Sequence, residues 1–194
     1  MAHVELAFRA VERNSSSVVL LGTHPHEPEP EYGYIVPGRE VHPSLCEVLR
    51  FVEKPAPDAA IKLIKRGGLW NTMVIVFKVK TLLDLVCRAA PEMYRFFADI
   101  FDAIGTASEL GAINHAYRQI EAMNFSKRLL ENSSVEHASR LMVLAVRDVY
   151  WSDWGSEQRI LRVLQKKGGS QWPRIKAVTA AAEKSRSKSL ANLA

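Results

Sequence analysis

Cysteine is scarce: Cys46 and Cys87 are the only two in 194 residues. Two distant thiols do not make a disulfide framework, and a chain of this length can bury a core without one. Each follows a leucine or a valine, which reads as two small buried thiols. Long apolar runs are missing as well. None approaches the ~18 residues that a membrane span needs. Met1 to Ser17 alternates charged and apolar positions, unlike a secretory signal. A cytoplasmic protein with no membrane contact is expected. A basic face is also lacking. The net charge is +5, but five cations (Arg174, Lys176, Lys184, Arg186, Lys188) against the single Glu183 fall between Trp172 and Ala194. The excess therefore belongs mostly to a tail, and no nucleic-acid partner is expected. That Ala-, Ser- and Lys-rich stretch, 171–194, reads as a disordered end after one domain covering 1–170.

What is present is an alternation of helical and extended patterns. Val4, Ala7, Phe8 and Val11 recur at helical spacing, so Met1 to Asn14 is expected to be an amphipathic helix. Val18 to Leu21, closed by Gly22, reads as a buried strand. Tyr32 to Val36 reads as a second strand, with a turn at Pro37-Gly38. Glu47 to Glu53 suggests a third. Asp58 would cap a helix through Leu63 and Ile64 that stops at Gly67-Gly68. Met73 to Val79 is apolar and β-branched, another strand. Helices follow over Thr81 to Ala90, from Pro91 through Ile100, and over Ser108 to Met123. Leu141 to Val146 reads as a strand and Ser156 to Lys167 as a closing helix. The sum is an α/β fold with a parallel or mixed sheet.

Four short segments lie beside the predicted strands, where α/β sheets bind ligands at the carboxyl ends. They are Tyr32-Gly33-Tyr34-Ile35, Phe51-Val52-Glu53-Lys54-Pro55, Leu69-Trp70-Asn71-Thr72 and Trp151-Ser152-Asp153-Trp154-Gly155-Ser156. Each alone has a plain structural reading: a glycine relieving strand packing, a surface turn, a turn asparagine, a helix cap. His24-Pro25-His26-Glu27 has too few close ligands in too Pro-rich a loop for a zinc site. Trp151 and Trp154 read as packing around a helix start, and His115 and His137 as surface or helix residues.

In this order the four segments resemble the sugar-1-phosphate nucleotidyltransferase family, from about Val18 to Leu164. The Trp-Ser-Asp-Trp-Gly-Ser form is most similar to the mannose-1-phosphate guanylyltransferase branch. The resemblance implies a Rossmann-like sheet with flanking helices. It implies transfer of a nucleotidyl group from a nucleoside triphosphate, GTP first, to a sugar-1-phosphate, mannose-1-phosphate first, with Mg2+ bridging phosphates. In that reading Gly33, Glu53 and Asn71 bind the sugar, Lys54 and Asp153 are catalytic, and Asp153 holds the metal. Gly33 would let the backbone approach the sugar, Glu53 would accept hydroxyl hydrogen bonds, and Lys54 would sit beside the phosphate.

The resemblance also has gaps. The family's glycine-rich triphosphate loop and its first metal-binding Asp have no counterpart here. The chain is therefore expected to be the back part of such an enzyme, a fragment, or a sugar-phosphate-binding subunit that pairs with itself or with a full-length relative. Removing front strands is expected to leave an apolar sheet edge open. Relatives commonly carry Ser-Gly where this chain has Thr72-Met73, an Asp where it has Ser126, and a glycine where it has Glu31.

Overall fold

The computed structural model describes residues 2–135 and 140–166. These fall into two compact units, Met1–Val149 and Tyr150–Ala194. The reading of 171–194 as a tail lies outside the described residues.

In the first unit, helix α1 (Ala2–Arg13) precedes strands β1 (Val18–Thr23), β2 (Tyr34–His42) and β3 (Leu45–Val52). Helix α2 (Pro57–Lys65), strand β4 (Leu69–Val76) and helices α3 (Val79–Ala89), α4 (Pro91–Ala103) and α5 (Glu109–Gln119) follow. A π-helical turn at Ser126–Glu131 runs into the short α6 (Asn132–Val135), and β5 (Leu141–Val146) completes the sheet. The α/β class with a mixed sheet holds. The expected open edge does not, because the strands close into a ring in the order β1-β4-β2-β3-β5. Among the described strands, only the β1–β5 pair is parallel. Two short ladders close the ring: Tyr34 with Trp70 and Ile35 with Leu69 on one side, and Leu45 to Glu47 against β5 on the other.

All six residues of β1 are buried, which explains its unbroken apolar run. The period-two alternation of a strand sorts them into two cores. Val18 and Leu20 face one cluster with Ile35, Phe51, Leu69 and Val143, while Val19 and Leu21 face another with Ala7 and Val11 of α1. Ser134 Oγ accepts from the Phe51 amide at 3.0 Å, so α6 finishes at this point what the β3 ladder leaves open.

Several expectations need correction. The turn expected at Pro37-Gly38 is absent. Strand β2 runs on to His42 and absorbs Pro37 at a shift in register, a place where a missing N–H is tolerated. The reversal comes at Ser44, with φ 64°. Strand β4 begins at Leu69, not Met73, and Val79 already belongs to α3. Asp58 lies in the first turn of α2, whose N-cap is Ala56. The Gly67-Gly68 stop is as expected: both amides return to carbonyls of the last turn, and Gly67 takes φ 78°. Cys46 is half-buried, and burial, then the nearby Glu40, pushes its thiol up and keeps it protonated. Cys87 is exposed. It lies two positions beyond Leu85 on α3, so it turns away from the face that Thr81 and Leu85 bury.

In the second unit, α7 (Glu157–Lys166) follows the Trp151–Ser156 segment. No helix among the described residues is long and apolar enough to cross a membrane.

Candidate functional site

Antiparallel pairing brings distant segments to one rim of the ring. Thr23, at the end of β1, pairs with Trp70, near the start of β4. Trp70 also pairs with Tyr34, at the start of β2, and Tyr34 pairs with Val52, at the end of β3. The site is therefore not built from carboxyl strand ends alone. Two strands enter the rim and two leave it.

Gly33 stands at the centre. The Asn71 amide donates to its carbonyl at 2.8 Å. A β-carbon at Gly33 would come within 2.9 Å of Glu53 Oε2, 3.0 Å of Phe51 Cζ and 3.4 Å of Asn71 Cβ. The sequence-predicted residues Gly33, Glu53 and Asn71 are thus brought together. Asn71 is buried. Among the described residues no hydrogen bond or ion pair engages the Glu53 carboxylate, which leaves it open to ligand hydroxyls.

Beneath this rim lies an aromatic support. Trp70 is buried and donates from Nε1 to the Tyr34 hydroxyl at 3.0 Å. The same hydroxyl accepts from the Glu29 amide at 2.9 Å. The rings of Tyr32 and His26 meet Trp70 edge-on, with centroids at 5.0 and 4.7 Å. Together these contacts fasten the Pro-rich loop before Gly33. His26 thus packs as an aromatic, and His115 lies edge-on to Phe96.

Two non-glycine residues here have left-handed backbones, Lys54 with φ 46° and Met73 with φ 60°. Such outliers concentrate at functional sites. Lys54 is half exposed, and its Nζ lies 3.5 Å from Glu31 Oε2. Met73 sits on an irregularity of the β1–β4 ladder, where Gly22 pairs with Asn71 but Leu20 with Ile75. Thr72 Oγ1 bridges the bulge, donating to the Leu21 carbonyl at 2.7 Å and accepting from the Val74 amide at 3.3 Å. The π-helical segment adds Ser126, whose Oγ lies 3.4 Å from Met73 Sδ. Reading the sequence misses the contact of Met73 with Ser126 and that of Glu31 with Lys54. Their only signal there is departure from the family pattern.

Asp153 belongs to the second unit. Arg159 Nη1 donates to its Oδ1 at 2.9 Å and its Oδ2 at 3.0 Å. Gly155 makes room for the pair, since a β-carbon there would lie 2.9 Å from Asp153 Oδ2. Among the described residues no group of three His, Cys, Asp or Glu side chains is placed to hold a metal ion.

Comparison with known proteins gives these motifs a context. A mannose-1-phosphate guanylyltransferase of Escherichia coli is 27% identical over 84% of this chain and 35% of its own length. The xanthan biosynthesis protein XanB of Xanthomonas campestris is 28% identical over 86% of this chain and 34% of its own. The chain thus spans about a third of the length of the curated relatives it matches. A solved Thermus thermophilus protein named mannose-1-phosphate geranyltransferase superposes with a TM-score of 0.61 at 26% identity, over 74% of this chain and 38% of that one. A Helicobacter pylori mannose-6-phosphate isomerase shares the fold, with a TM-score of 0.60 at 21% identity, over 78% of this chain and 57% of that one. The nucleotidyl transferase family profile matches residues 1–168. The chain belongs to the nucleotidyl transferase family.

Proposed function

We propose that this chain carries the sugar-phosphate-binding part of a nucleotidyltransferase that joins a nucleoside triphosphate, GTP first, to mannose-1-phosphate. The observation that carries this reading is the convergence of Gly33, Glu53 and Asn71 on one rim. In the overall reaction a phosphate oxygen of the sugar phosphate attacks the α-phosphorus and pyrophosphate leaves. Positioning and charge neutralisation supply most of the catalysis in such transfers. Gly33 leaves open the approach to the rim, Glu53 accepts from sugar hydroxyls, Asn71 offers one further polar contact, and Lys54 neutralises the sugar phosphate.

A divalent cation, Mg2+ by family, would add charge neutralisation at the phosphates. The described residues do not by themselves form a site for it: Asp153 supplies one carboxylate, and both of its oxygens meet Arg159. Within the proposal Asp153 is a metal ligand and catalytic residue. That same pairing favours a second reading, a sugar-phosphate-binding subunit without turnover.

Titration of the purified chain with mannose-1-phosphate and glucose-1-phosphate, followed by amide NMR, tests the proposal. Saturable binding with shifts at Gly33 and Asn71 is expected. Glu53→Gln, which keeps shape but removes the charged acceptor, is expected to weaken it about tenfold. Absence of binding by either sugar phosphate overturns the proposal, and binding without pyrophosphate release from GTP selects the second reading.

Glu31 bears on the same site. Its carboxylate competes with a ligand phosphate for Lys54. The pair is largely exposed, so its hold is weak. Glu31→Gln is expected to tighten sugar-phosphate binding about two- to fivefold at low salt. The gain should shrink as salt screens the pair. Equal affinities at low salt would show that Glu31 does not restrain Lys54.

A further inference from the structure

We propose that the Met73 side chain is a gate over Asn71, one that a ligand hydroxyl must displace and that thereby sets which sugars bind. This rests on the sugar-phosphate reading of the rim. Met73 engages both polar ends of the Asn71 side chain. Its backbone N–H donates to Asn71 Oδ1 at 3.2 Å, and its thioether accepts from Asn71 Nδ2 at 3.0 Å. Ser126 Oγ reaches the same sulfur at 3.4 Å. Asn71 is only 4% exposed. A ligand therefore reaches Nδ2 by moving the sulfur aside.

The chemistry favours such an exchange. A thioether is a weak acceptor, and a hydroxyl oxygen is a stronger one. Met73 can also move at little cost. The residue is 54% exposed and its side chain is unbranched and flexible, so swinging outward opens no cavity in the core. Its backbone conformation makes the residue's presence harder to explain as packing. At φ 60° a glycine would sit without strain, whereas a residue with a β-carbon is strained there. Local strain held at a ligand rim is a mark of function.

The gate discriminates by what the ligand offers at Asn71. A sugar with a hydroxyl there replaces the sulfur, while one with hydrogen, or with a substituent too bulky to share the space, leaves the gate closed.

Three variants separate gate from scaffold. Met73→Ala keeps the left-handed residue and removes the sulfur. Met73→Gly removes the strain too. Met73→Leu keeps the bulk and removes the acceptor. The Asn71 side-chain NH2 resonances of the unliganded chain report the sulfur contact, and mannose-1-phosphate titration reports the gate. Displaced Asn71 resonances are expected in all three variants. Affinity is expected to rise about five- to tenfold in Met73→Ala and Met73→Gly alike, and less in Met73→Leu. Unchanged Asn71 resonances overturn the contact. Binding in the wild type with equal affinity in Met73→Ala overturns the gate. Failure of the wild type and every variant to bind overturns the sugar-phosphate reading, and the gate with it.

Discussion

Trp70→Ala is expected to destabilise the chain by about 3–5 kcal/mol, the range for truncating a buried large aromatic. Trp70 is 1% exposed and pairs with strands on both sides, Thr23 and Tyr34. It lies in one of the two short ladders that close the ring, so little backbone pairing backs it up. Truncation also takes the Nε1 donor from the Tyr34 hydroxyl and leaves Tyr32 and His26 facing a void. Urea unfolding followed by circular dichroism measures the loss. Trp70→Phe keeps a ring and drops the donor, and about 1–2 kcal/mol is expected for it. A loss below about 1 kcal/mol in Trp70→Ala would mean that β1–β4 pairing holds the rim without the aromatic support.

Gly33→Ala is expected to abolish measurable sugar-phosphate binding, a loss greater than about tenfold, while costing about 1–3 kcal/mol of stability. Three neighbours decide this. Glu53 Oε2, at 2.9 Å from the new methyl, ends a flexible side chain and can turn away. Phe51 Cζ, at 3.0 Å, cannot, because Phe51 is fully buried in the core of the ring. Asn71 Cβ, at 3.4 Å, is in ordinary contact. The methyl thus pushes out the very carboxylate proposed to hold the sugar. Calorimetric titration and thermal unfolding on the same sample separate the two effects. Wild-type affinity in Gly33→Ala would mean that the ligand does not sit against Gly33.

Much of the architecture is legible in the chain itself. The spacing of Ala7 and Val11 marks α1, Gly67-Gly68 ends α2, Pro91 opens α4, and the unbroken run Val18 to Leu21 marks a buried strand. Local signals fail where pairing overrides them. The β-branched run after Met73 points to a strand starting there, yet the ladder starts at Leu69 because Trp70 has partners on both sides. Pro37-Gly38 looks like a turn, but a register shift takes up the proline. The π-helical turn at Ser126 has no simple period. Gly33, Glu53 and Asn71 stand out in the sequence only through family resemblance, since each taken singly has a structural explanation. Met73 stayed hidden as a contact because its position depends on a bulge set by Gly22 and Leu20, about fifty residues earlier.

The parallel pairing of β1 with β5 also has a consequence in time. Strands β2 and β3 are neighbours in sequence and can pair as a hairpin on the microsecond scale. Strand β5 must instead find β1 across more than a hundred residues, Val18 meeting Leu141 and Thr23 meeting Val146. Long-range pairing of this kind is slow, because the intervening chain loses its freedom before the contact is rewarded. On the ribosome, β1 emerges before β5 and waits with its apolar faces only partly covered until Val146 has left the exit tunnel. The interval between those two events is when this chain is most exposed to aggregation and most dependent on chaperones.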